Sequence, residues 1–124
     1  CRLYASDVEE LLKVKAACNL AVSALLTAAG LSTQHLAAVH LAGAFGGVVS
    51  PADLETLGFF SPGLAARTLV AGNLSLEGAT LFLTDPGARV AAGTLPGQTV
   101  IVPLASDRNA SDSFIRRMVF TYVA

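Results

Sequence analysis

Apolar residues early in the chain recur at helical spacing. Val8, Leu11, Leu12, Ala16, Leu20, Ala24 and Leu25 follow the period, and Lys15 falls in the same series. Ser6-Asp7-Val8-Glu9 reads as a capping box with Ser6 as N-cap, and Gly30 is placed for a left-handed C-terminal cap. The spacing predicts a long helix over residues 7–29, alanine-rich on several sides and able to pack on more than one face. Residues 31–36 are a connector. Residues 37–42 form an apolar run short enough for one buried strand, and it ends abruptly at Gly43, Gly46 and Gly47.

A helix start follows, with Ser50 as N-cap, Pro51 at the first helical position and Asp53 in the first turn. That helix is expected over residues 51–57, ending near Gly58, and Phe59-Phe60-Ser61-Pro62-Gly63 is an aromatic step into a turn. Residues 67–71 read as a second short strand, again ended by a glycine, Gly72. Asn73 is the expected N-cap of a small-residue helix over 74–83, which Asp85-Pro86-Gly87 closes. Residues 99–104 read as a strand whose Pro103 argues for an edge or an end. Phe114, Ile115, Met118, Val119 and Tyr122 predict a terminal helix over 112–122, packed back on the sheet.

Strand, glycine turn and helix thus occur twice, with Gly43 and Gly72 separated by 29 positions. This is the cadence of an α/β fold: a small parallel or mixed sheet with flanking helices. Two such turns at the carboxyl ends of neighbouring strands share a rim, where open α/β sheets hold ligands. Glycine lets bare backbone approach a ligand, and a following helix points N–H groups at it. Gly43, Gly46 and Gly47 would admit a planar base or a phosphate chain, and Gly72-Asn73 would add an N–H group and a side-chain amide. On pattern alone, tight turning is the simpler use of these glycines. Neither turn is a Walker A loop or a G-x-G-x-x-G fingerprint.

Composition narrows the picture. The 124 residues suit one domain with a real core. With 53% apolar and only 14% charged residues, part of the surface is expected to be covered by another domain or a second copy. Eight Lys+Arg against nine Asp+Glu, no Trp and two Tyr argue against nucleic-acid binding. The apolar run at 36–49 is shorter than the roughly 20 residues that span a bilayer. The two cysteines, Cys1 and Cys18, are far apart and unmatched to the two histidines, so a metal site is not expected. Cys18 reads as a small buried hydrophobe with a free thiol in a reducing, cytoplasmic setting. The chain begins at Cys1 without an initiator Met and is read as a fragment of a longer protein, residues 1–124 forming a single domain.

A nucleophile–base pair is not visible. His40 lies in the apolar strand and reads as a core or interface histidine. Asp53 and Glu55 suit the short helix, and Asp85 suits a turn. Ser106, Asp107 and Asn109 make a polar loop.

The motifs Val39-His40-Leu41-Ala42-Gly43-Ala44-Phe45-Gly46, Gly58-Phe59-Phe60 with Pro62, and Gly72-Asn73-Leu74-Ser75-Leu76-Glu77-Gly78-Ala79 resemble the closing region of the reductive activators of corrinoid proteins. The helix led by Asp7 and carrying Lys15-Ala16-Ala17 is similar too, and the likeness covers nearly all of residues 7–122. The resemblance implies the last subdomain of an ATPase of the actin, hexokinase and heat-shock-chaperone superfamily, with an actin-like, ribonuclease-H-like fold. By the same resemblance, Gly43, Ala44, Phe45 and Gly46 would form the adenosine-side turn. Gly72 and Asn73 would form its neighbour, and Lys15 would project from the helix lining the nucleotide.

Such activators use ATP, with Mg, to drive an electron onto the Co(II) corrinoid of a methyl-transfer protein, through a [2Fe–2S] ferredoxin domain. The implied partner is that corrinoid protein, with a homodimer expected and neither nucleic acid nor membrane. Where the family helix often has Gln ahead of its Lys and Gly beyond it, this sequence has Leu12 and Ala21. These 124 residues hold no acidic-glycine phosphate loop and no ferredoxin cysteine cluster, so the chain alone is not expected to hydrolyse ATP. Two other readings fit: a non-catalytic dimerisation or docking module of the same fold, and an ATPase activator of another low-potential enzyme.

Overall fold

The structure, a computed structural model, describes residues 2–43, 48–104 and 108–124. It contains helices α1 (Ala5–Ala28), α2 (Pro51–Thr56), α3 (Leu74–Thr84), α4 (Pro86–Thr94) and α5 (Ala110–Arg116), with strands β1 (Val39–Leu41) and β2 (Thr68–Val70). The fold is a helix-rich α/β arrangement with one two-stranded sheet. The Ala71 N–H donates to Leu41 O at 2.9 Å and the Gly43 N–H to Gly72 O at 2.8 Å. Donors and acceptors advance together along both segments, so the strands run parallel.

By internal contacts the chain divides into two units, one of Cys1–Val39, Ser50–Thr68 and Val102–Ala124, the other of His40–Val49 and Leu69–Ile101. In the first unit, α1 packs on α5, and α2 packs on a 3-10 turn at Ala65–Arg67. Helix α1 begins two residues earlier than the box at Ser6 implies: Tyr4 is the N-cap, and its N–H donates to the Asp7 carboxylate at 2.9 Å. Its end is as expected. Leu31 N–H reaches Leu26 O and Gly30 N–H reaches Thr27 O, a Schellman motif with Gly30 at φ +67. Helix α2 closes the same way through Phe59 N–H to Leu54 O and Gly58 N–H to Glu55 O.

The core of this unit is small and largely polar. Ala16, Leu54 and Leu64 are buried together with Lys15, Asn19, Ser61 and Arg117. Glu55 fastens the loop after α2, its carboxylate accepting the N–H groups of Gly63 at 2.9 Å and Ala65 at 2.8 Å. Those two donors hold its carboxyl below the usual carboxylate range. Arg67 donates to the carbonyls of Thr33, Gln34 and Leu36 and so ties a 3-10 turn at Thr33–His35 to the start of β2.

In the second unit, α3 and α4 form a helical hairpin. Asp85, expected only to close α3, also N-caps α4: its carboxylate accepts the Gly87 N–H at 2.7 Å, with Pro86 at the first helical position. The sequence reading missed α4. No described residue of this unit is buried.

Four further expectations are corrected. The strand over 99–104 is absent; Val100 and Ile101 are exposed and have no strand pairing among the described residues. The terminal helix is confined to Ala110–Arg116 and packs on α1, because the carbonyls beyond it accept the Lys15 ammonium. Cys18 is exposed, since α1 turns Lys15, Ala16 and Asn19 inward and Cys18 lies off that face. His40 is exposed between half-buried Val39 and Leu41. Helix α1 is also long and apolar enough to cross a membrane by length and composition. It packs on α5 and buries Lys15, Ala16 and Asn19, with 17% of its apolar window buried.

Candidate functional site

The two glycine turns leave β1 and β2 side by side because the strands are parallel neighbours. Gly43 has φ +102 and Gly72 has φ +68, left-handed conformations that a side chain disfavours. A Cβ built at either position would meet nothing within 4 Å, so bare backbone at both turns borders open space. The 2.8 Å bond from Gly43 N–H to Gly72 O joins the turns directly. Asn73 follows in register, its side-chain oxygen accepting Leu76 N–H at 3.2 Å to cap α3. That bond uses the oxygen and leaves the amide NH₂ as the donor of this side chain. At the start of α2, the Ser50 hydroxyl accepts Ala52 N–H at 3.2 Å, as its sequence position predicts.

Of the expected nucleotide-side residues, the structure thus brings Gly43, Gly72 and Asn73 together in the second unit. Ala44, Phe45 and Gly46 lie outside the described residues. Lys15 belongs to the first unit, where it is 1% exposed. Its ammonium donates to Arg117 O at 3.0 Å and Thr121 O at 2.6 Å. Burial pushes its pKa down, and the neighbouring Arg117 charge adds to the shift. Asn19, one turn further along α1, donates its amide to Gly58 O at 3.4 Å and Phe59 O at 3.2 Å.

Sequence reasoning missed Asn19, Glu55 and Arg117 as organising side chains. Glu55 carried a usable signal, a carboxylate seven residues before Pro62-Gly63; Asn19 acts on carbonyls 39 and 40 residues away, and Arg117 joins nearby Ser113 and Ala124 to Ser23, 94 residues away in sequence. Among the described residues, no group of three His, Cys, Asp or Glu side chains is placed to hold a metal ion.

Paired parallel strands ending in bonded glycine turns, with capped helices later in the sequence, define a helix-rich α/β protein. The chain belongs to the family described as RACo_C_ter, the C-terminal domain of RACo, the ASKHA domain, whose model matches residues 1–123. It is accordingly part of the ATPase region of a reductive activator that works with corrinoid proteins. No curated protein matches the chain, and no solved structure does.

Proposed function

We propose that this chain supplies the adenosine side of the nucleotide site in an ATP-driven activator returning a Co(II) corrinoid to Co(I). The observation that carries the reading is the Gly43–Gly72 bond, which sets two open, side-chain-free turns against each other at the strand ends. Such a surface fits a flat base and a ribose, and it fits poorly any ligand that needs charged side chains. Gly43 and Gly72 would give contact surface, Asn73 an amide donor, and Ala44, Phe45 and Gly46 the rest of the first turn. Bound ATP supplies the free energy of hydrolysis. The proposal places the phosphates and Mg on a part of the ATPase outside these residues. It takes the electron from an iron–sulfur domain and assigns the parent a homodimeric, cytoplasmic existence.

An amide NMR titration with AMP, ADP and ATP at millimolar concentration tests this. Saturable shifts centred on Gly43, Gly72 and Asn73, similar for all three nucleotides, are expected, because the recognised part is common to them. Absence of saturable shifts at these residues refutes the chain's own share in binding. A docking module of the same fold is favoured instead by the second unit, where Leu81, Phe82 and Leu95 stay exposed along a groove of about 290 Å³ between α3 and α4.

A further inference from the structure

A separate cavity in the first unit carries chemistry that the nucleotide reading does not use. It measures about 170 Å³ and lies where α1 ends, with Ser23 and Thr27 on one wall, Ser32 and Thr33 on another, and Tyr122 beside them. Leu26 and Leu31 supply its apolar surface. Five of its eight lining residues bear hydroxyl groups, and their bonds within the protein fix what several of them can offer.

The Ser23 oxygen accepts from Arg117 Nη2 at 3.2 Å, and its own proton has no acceptor among the described residues, so Ser23 presents a donor. Thr27 is the reverse: its hydroxyl donates to Ser23 O at 2.8 Å, leaving lone pairs. Ser32 is also an acceptor. The His35 Nδ1 takes the Ser32 N–H at 3.0 Å and is therefore the bare ring nitrogen, so the Ser32 hydroxyl 2.9 Å away is the donor of that contact. The hydroxyls of Thr33 and Tyr122 have no partner among the described residues and rotate freely.

This mixture decides the ligand class. An oxyanion would find donors in Ser23, Thr33 and Tyr122 but would leave the lone pairs of Thr27 and Ser32 unmatched. A cation would find no side-chain carboxylate in the lining, and the Ala124 oxygen there is already held by the Arg117 guanidinium at 3.1 Å, the same group that lies behind Ser23. A neutral group that both gives and accepts hydrogen bonds satisfies all of them, with carbon against Leu26, Leu31 and the Tyr122 ring. The cavity holds the equivalent of about five or six waters, at roughly 30 Å³ each, which suits a triol or a pentose. We propose that this cavity is a binding site for a small neutral polyol.

The test is an amide NMR titration of this chain with ribose and glycerol, set against inorganic phosphate. The expected result is saturable shifts at Ser23, Thr27, Ser32 and Tyr122 with ribose, with a Kd on the order of 1–10 mM for so small a ligand. Ser23→Ala and Tyr122→Phe should each weaken ribose at least fivefold. If Ser23→Ala does not fold, Tyr122→Phe decides, since it removes one hydroxyl oxygen only. Shifts that stay linear to about 100 mM, stronger binding of phosphate than of ribose, or unchanged affinity in the variants would each overturn the proposal. Because the reporters differ from Gly43, Gly72 and Asn73, failure here and failure of the nucleotide reading are told apart in the same spectra.

Discussion

Gly58 is the position at which a single methyl group should do most damage. Its φ is +79, and a Cβ there would lie 2.5 Å from the carbonyl carbon of Thr121 and 2.8 Å from both Thr121 O and Tyr122 N. All three atoms are main chain, so no side-chain rotation relieves the overlap. Gly58→Ala first incurs the left-handed conformation, about 1–2 kcal/mol. It must then move the segment around Thr121 by roughly 1 Å to restore ordinary contact, and Thr121 O is an acceptor of the buried Lys15 ammonium. Losing one charge-assisted bond of that kind costs about 1.5–3 kcal/mol. The sum is about 2.5–5 kcal/mol, a large share of a typical folding free energy of roughly 5–15 kcal/mol.

Gly30→Ala is the matched control. Its φ is +67, but a Cβ there meets nothing within 4 Å, so only the conformational part, about 1–2 kcal/mol, should appear. Urea unfolding followed by far-ultraviolet circular dichroism measures both, with equal slopes required for the comparison. Equal losses in the two variants, within about 0.5 kcal/mol, would refute the packing argument.

Asn19→Asp should destabilise by about 2–3 kcal/mol at neutral pH, since it aims a carboxylate at the carbonyls of Gly58 and Phe59. Acid should restore part of that loss by protonating the new group; a pH-independent loss in urea unfolding would contradict the geometry. Glu55 has a folded pKa below its unfolded value, so its contribution is present above the ordinary carboxylate range and fades as pH falls through the folded value. Glu55→Gln should therefore be less stable at neutral pH yet lose less on acidification, and parallel pH profiles in thermal melts would count against this. Asn73→Ala removes the cap of α3 at about 1 kcal/mol and, on the nucleotide reading, weakens AMP severalfold. Asn73→Asp keeps the cap but not the amide donor, so intact AMP binding in that variant would remove Asn73 from the site.

What was legible in the sequence is what backbone chemistry decides locally. Ser50, Asn73, Gly30 and Gly58 terminate helices as read, because a cap involves neighbours within one turn. Asp85-Pro86-Gly87 misled for the same local reason: one carboxylate and one proline end α3 and begin α4, and only the first role was read. Residues 99–104 have the composition of a strand, but a strand needs a neighbour to bond, and no such pairing forms among the described residues. The terminal helix was overextended because its stop signal, Lys15, is 102 residues away from Arg117 in sequence. Both glycine turns were visible, whereas the bond between them depends on parallel register and was not.

Lys15 brings the family resemblance and the structure into direct competition. Read by resemblance it lines a nucleotide; in the fold its ammonium is enclosed and holds the carbonyls of Arg117 and Thr121. Reaching a ligand would mean giving up two charge-assisted bonds, each about 1.5–3 kcal/mol, so its net contribution to binding would be small even if it moved. Its pKa is depressed by burial, so below that folded value the ammonium is charged in both states and the burial cost stands. As pH rises from the folded value toward the unfolded one, the unfolded chain binds more protons and stability increases. Lys15→Met should abolish this alkaline rise and cost about 2–3 kcal/mol at neutral pH, by leaving the buried Arg117 carbonyl and the part-buried Thr121 carbonyl without that donor. If the lysine serves the fold alone, the variant binds AMP as the parent does in the NMR titration. A large loss of AMP affinity in a variant that still folds would return Lys15 to the nucleotide and show that binding frees the terminal segment.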